Sequence, residues 1–107
     1  MNMSVMREPR TIRPGEKSVF TIEIQENGRG IAGIEISFEV EPKDSGSMET
    51  EKIKTDPKGV AKETFVASSK IEKDVDVLVK AKWRIAGLDK ENVMKVEVRP
   101  NSPQGEK

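Results

Sequence analysis

Nine consecutive residues, Val75-Asp76-Val77-Leu78-Val79-Lys80-Ala81-Lys82-Trp83, place Val75, Val77, Val79, Ala81 and Trp83 at every second position. A period of two puts these side chains on one face of an extended strand, so the chain must bury one side of a sheet. The period recurs at Phe20, Ile22 and Ile24, set against Thr21, Glu23 and Gln25. It recurs again at Ile34, Ile36, Phe38 and Val40, set against Glu35, Ser37, Glu39 and Glu41. The side-chain inventory agrees, with 9 Ile and 11 Val against 2 Leu. β-branched side chains are stiff at χ1 and pack well on a pleated surface. No stretch has convincing helical periodicity, so the chain reads as all-β.

Apolar content is only 34% and charged content 36%, a balance that raises the question of disorder. Leu, Ile, Val and Phe nevertheless make 25 of 107 residues, and the net charge is zero. A disordered chain is poorer in these residues and carries a larger net charge. The length fits one domain, with residues 3–100 as the folded unit and 101–107, polar and containing Pro103, as a linker-like tail. Zero net charge argues against nucleic acid or an anionic membrane surface as partner. No segment approaches the roughly 20 apolar residues that span a bilayer. Met1 to Met6 lacks the apolar run of a signal peptide, so an exported parent would carry its signal upstream.

Pro9 breaks the first apolar segment, Val5 to Ile12, which is expected to bend or switch sheets there. Arg13-Pro14-Gly15-Glu16 is a turn. Asn27-Gly28 is a two-residue hairpin signal. Pro42 stops the strand of Ile34 to Val40. Lys43 to Ser47 reads as a loop and Met48 to Thr55 as a weak strand. Asp56-Pro57-Lys58-Gly59 fits a type I turn position by position. The strand after it places Ala61, Phe65 and Ala67 on one face, with Glu63 at the same parity. Ala86 to Asn92 reads as a loop, and Met94, Val96 and Val98 as the last strand. About seven short strands with one apolar face each call for a Greek-key, two-sheet antiparallel β-sandwich.

The segments Gly30-Ile31-Ala32-Gly33-Ile34-Glu35-Ile36-Ser37-Phe38-Glu39-Val40 and Thr55-Asp56-Pro57-Lys58-Gly59-Val60-Ala61-Lys62-Glu63-Thr64-Phe65, in this order and context, resemble the bacterial Ig-like modules of invasin- and intimin-type surface proteins. They are also similar to macroglobulin-type sandwich modules. The resemblance covers Met3 to Pro100 and implies an Ig-like sandwich. It makes Asn27–Gly30 a crossing between sheets rather than a hairpin. Such modules often have an apolar residue where Glu63 stands, so Glu63 is expected at the rim of the core or beside a bulge, solvated or paired. The resemblance also makes the Glu35–Glu41 strand a neighbour of Val75–Arg84. Glu35, Glu39 and Glu41 would then face Lys80, Lys82 and Arg84, and Glu23 would face Lys62 in the other sheet.

Reactive groups are scarce. His and Cys are absent, which excludes His-based triads, thiol nucleophiles, zinc–thiolate sites and disulfides. Ser69-Lys70 are chain neighbours that point to opposite faces. Calcium would need loop carboxylates. Asp44 and Asp56 lie on loops that could converge, and Asp74 and Asp76 have ligand-like spacing with Asp76 on a strand. The more economical reading of all four is solvated turn chemistry. The four aromatics, Phe20, Phe38, Phe65 and Trp83, sit at inward parity and leave no stacking platform for sugars or bases. Val60, Val66 and Leu78 are apolar at outward positions. Asn2-Met3-Ser4 matches a glycosylation sequon by chance.

No catalytic, cofactor-binding or metal-ligating residue and no cofactor is therefore assigned. The expected role is a non-catalytic spacer or adhesion-stalk module of a larger prokaryotic cell-surface protein, extracellular and monomeric in isolation. Its expected partners are neighbouring domains of the same chain, or a surface protein. The alternatives are a module that captures a peptide at an exposed edge strand, Val5–Ile12 or Met48–Thr55, and an accessory domain of a secreted enzyme.

Overall fold

The computed structural model describes residues 2–100, so the expected tail at 101–107 lies outside the described residues. Ten strands form: β1 (Asn2–Glu8), β2 (Thr11–Ile12), β3 (Lys17–Glu26), β4 (Arg29–Gly30), β5 (Glu35–Glu41), β6 (Gly46–Met48), β7 (Lys52–Lys54), β8 (Val60–Ala67), β9 (Val75–Ile85) and β10 (Leu88–Val98). One 3-10 turn covers Lys43–Ser45. The first sheet has the order β1-β3-β8-β6, with β4 attached to β3, and the second has the order β2-β10-β9-β5-β7. This is a two-sheet Ig-like sandwich. All pairings are antiparallel except β2 with β10, which run parallel. The exception arises because the first strand changes sheets without reversing direction.

That change happens at Pro9, as its missing N–H requires. β1 pairs with β3 in the first sheet, and β2, three residues on, pairs with β10 in the second. The Glu8–Pro9 peptide is cis, and the buried Ser18 hydroxyl donates to the Pro9 carbonyl at 2.7 Å. The inward positions read from the alternation meet in one core, where Phe20, Ile22, Ile36, Phe65, Val77 and Val96 are fully buried. Phe38 and Val40 are half-buried because β7 covers only the Glu35–Ser37 end of β5.

Several local expectations change. Asn27 and Gly28 both have positive φ, 53° and 78°, and close a two-residue hairpin between β3 and β4. The crossing to the second sheet follows over Ile31–Ile34, so the hairpin and the crossing are consecutive. The weak strand Met48–Thr55 is two short strands in different sheets, β6 against β8 and β7 against β5. The Ala86–Asn92 loop is not a loop. Ala86 and Gly87, with φ of 51° and 77°, form a tight turn and β10 starts at Leu88. After Leu88, its next two positions of inward parity, Lys90 and Asn92, are polar and hid the alternation.

The register defines two poles. Asn2 lies beside Gln25 at the upper one, with the Asn27-Gly28, Asp56–Gly59 and Ala86-Gly87 turns. Val98 lies beside Ile12 and Val75 at the lower one.

Candidate functional site

The two segments singled out from the sequence touch each other at the upper pole. Gly59 N–H donates to the Asp56 carbonyl at 2.8 Å, closing the turn, and the Asp56 carboxylate accepts from Lys58 and Val60 N–H at 2.8 and 2.9 Å. The bond from Val60, with a smaller one from Lys58, holds the Asp56 carboxyl below its ordinary value. Behind the turn, a side chain on Gly30 would overlap the Lys58 carbonyl, and one on Gly59 would lie 2.7 Å from the Gly30 Cα. Buried Thr55 completes the junction. Its hydroxyl donates to Ile31 carbonyl at 2.6 Å and accepts from Ile34 N–H at 3.0 Å.

Glu63 sits at inward parity, 4% exposed, with no bulge: β8 stays in register with β3 from Val60 to Val66. The carboxylate accepts from Thr64 N–H at 2.8 Å, from Thr50 N–H at 3.2 and 3.3 Å, and from the Thr50 hydroxyl. Thr50 lies on the stretch that leaves β6 for β7. Glu63 thus ties down a change of sheet, and its pairing meets the cost of burying a carboxylate.

The expected charge pairing is present in part. Lys80 bridges Glu41 at 3.2 Å and Lys82 bridges Glu39 at 3.1 Å, both diagonally across β5 and β9. The hydrogen bond that Lys82 donates lowers the Glu39 pKa, and the one that Lys80 donates to Glu41 raises the Lys80 pKa. Arg84 turns instead to Asp89 at 3.5 Å, and Glu35 lies opposite Lys54. In the first sheet Lys62 lies opposite Thr21, and Glu23 opposite Val60, so those two charges are only diagonal neighbours.

The calcium candidates separate. Asp44, in the 3-10 turn, is at the lower pole and Asp56 at the upper, so their loops do not converge. Asp74 and Asp76 meet Arg99, at 3.9 and 2.7 Å. Among the described residues no group of three or more acidic, His or Cys side chains is arranged to hold a metal ion. The Arg99 guanidinium also donates to the Val75 carbonyl at 3.1 Å, and its backbone N–H donates to Ile12 at 2.9 Å. Its hydrogen bond to Asp76 raises the Arg99 pKa and lowers that of Asp76. This clamp, which no local sequence pattern marks because its partners lie more than twenty residues away, fixes the direction in which the chain leaves the lower pole.

Val60 and Val66 are half-buried on the first sheet and Leu78 is exposed on the second, so the three form no patch. A different pair, Met6 and Val19 (63% and 42% exposed), lies diagonally on the outer face of the first sheet. Phe20, Phe65 and Trp83 are buried and Phe38 half-buried. Ser69 and Lys70 are exposed at the lower pole. Pockets are shallow and open. One, of about 750 Å³, is lined by Ser37, Lys52, Lys82, Arg84 and Glu91 on the outer face of the second sheet.

These features define an Ig-like sandwich. No known sequence family and no curated protein matches the chain. Solved structures do. The D0-D1 domain of intimin matches at a TM-score of 0.70 and 19% identity, covering 90% of this chain and 46% of that one. A C-terminal 282-residue intimin fragment, in complex with the intimin-binding domain of the translocated intimin receptor, matches at 0.66 and 19%, covering 92% and 32%. The periplasmic chaperone SfaE matches at 0.67 and 11%, covering 92% and 58%. The chain spans about half the length, or less, of the intimin structures, and the likeness is one of fold.

Proposed function

We propose that this chain is a non-catalytic spacer or adhesion-stalk module of a larger prokaryotic cell-surface protein, acting outside the cell beside further modules. The observation that carries the reading is the opposite placement of Asn2 and Val98 at the two poles. A chain that enters a sandwich at one end and leaves at the other can be strung head to tail, so each module adds its length to a stalk. The Arg99 clamp supports it, because a fixed exit direction transmits alignment to whatever follows. The likeness to intimin domains agrees with the reading. The test is the parent gene. It is expected to encode further sandwich modules joined at the poles. A reading frame for a lone cytosolic protein of this length would overturn the proposal, and catalytic sequence flanking the module would favour an accessory domain of a secreted enzyme instead.

A further inference from the structure

The second sheet has an edge that its own chain leaves open. β10 is eleven residues long, but β2 covers only Glu97 and Val98. The two-residue turn makes Ile85 and Leu88 the closing pair of the hairpin, so even-numbered residues of β10 bond to β9. Odd-numbered residues then point their N–H and C=O groups to the edge. Three contacts confirm this parity: Glu97 and Arg99 N–H donate to Arg10 and Ile12, and Arg7 Nε donates to the Lys95 carbonyl at 2.6 Å. Among the described residues, no strand pairs with the edge groups of Asp89, Glu91 and Val93. An open edge of this kind is a template for a further strand.

The side chains along the edge select the strand. Glu91, Val93 and Lys95 share the outer face, all exposed, with Val93 at 45%. About Val93 the sequence is a charge palindrome, Glu91-Asn92-Val93-Met94-Lys95. We propose that β10 pairs antiparallel with β10 of a second copy, about a two-fold axis through Val93. Val93 then faces Val93, and each Glu91 faces the Lys95 of the other copy. Centring the axis on Glu91 or on Lys95 would set like charges against each other. The Val93 groups bond reciprocally, Glu91 N–H donates to the Lys95 carbonyl opposite, and Lys95 N–H donates to the Glu91 carbonyl. The Lys95 carbonyl has a second lone pair beside the one Arg7 uses. Lys95 rests 3.6 Å from its own Glu97, an exposed contact that it gives up to Glu91. Pairing stops at Glu97, whose N–H is taken by Arg10.

Such an interface is small, so association is expected at about 0.1–1 mM, the weak and transient range. The inference does not rest on the spacer reading: the parent gene tests that reading, and the state of the isolated chain tests this one. Sedimentation equilibrium from about 10 μM to 1 mM should show the mass rising from monomer towards dimer. Over the same range the amides of Glu91, Val93 and Lys95 should gain exchange protection, and those of Lys90, Asn92 and Met94, already bonded to β9, should not. Glu91→Lys or Lys95→Glu alone should weaken association about tenfold, and the double reversal should restore it. Val93→Pro, at an edge position whose N–H is unpaired in the monomer, should leave the thermal melt in place and abolish the dimer. A wild-type chain monomeric at 1 mM, a dimer that survives Val93→Pro, or a double reversal that fails to restore pairing would each overturn the proposal.

Discussion

The outer face of the second sheet and the junction behind the Asp56–Gly59 turn are built in opposite ways. The face is dense in charge, with Glu39 and Glu41 on β5 interleaved with Lys80 and Lys82 on β9. The junction is two glycines in backbone contact, a buried threonine and a turn. Charges in water gain little from pairing, since solvent screens them and long side chains lose freedom to hold one geometry. Backbones in contact cannot admit a single methyl group without moving. The residues most visible in the sequence are therefore the ones expected to matter least for stability, and two inconspicuous glycines are expected to matter most.

Breaking the junction should have the largest effect. Gly30→Ala forces a side chain into the Lys58 carbonyl, and Gly59→Ala adds a positive φ of 80° to the clash. Each should cost about 3 kcal/mol, lowering the midpoint of a calorimetric melt by roughly 15 °C. Glu63→Ala should cost about 2 kcal/mol in urea unfolding, because Thr50 and Thr64 lose the acceptor that holds the β6-to-β7 crossing. Thr55→Val keeps the shape of the site but strands Ile34 N–H and the Ile31 carbonyl, for roughly 1–2 kcal/mol by the same measurement. At the small end, Lys82→Gln should leave the melt almost unchanged, and about 1 M NaCl should erase what difference there is. A large loss at Lys82 with none at Gly30 would invert the comparison.

Acid should sharpen it. Glu39, Asp56 and Asp76 have folded pKa values held below their ordinary 4.5, 3.8 and 3.8. The unfolded chain therefore binds more protons as pH falls through this window, so the stabilisation is present above the ordinary values and lost below them. Lys80 and Arg99 are raised, so their contribution is lost only as pH climbs past 10.5 and beyond. With no His or Cys, melts should be flat from about pH 5 to 9 and fall below about pH 4.

Alternation alone located most strands, their inward faces and the core, because a period of two records directly which side is kept from water. Pro9 and Asp56-Pro57-Lys58-Gly59 were legible too, since a missing N–H and a turn geometry are local demands. The upper half of β10 was not legible: Lys90 and Asn92 interrupt the apolar alternation although they lie opposite the core residues Trp83 and Ala81. Nor was the pairing of Glu63, whose partner Thr50 sits thirteen residues away on a segment that changes sheets. The contact of Gly30 with Gly59, the Arg99 clamp and the open edge of β10 likewise exist only in three dimensions. Each depends on which distant backbone lies alongside, a fact that no run of residues states and that the closing of the sandwich decided.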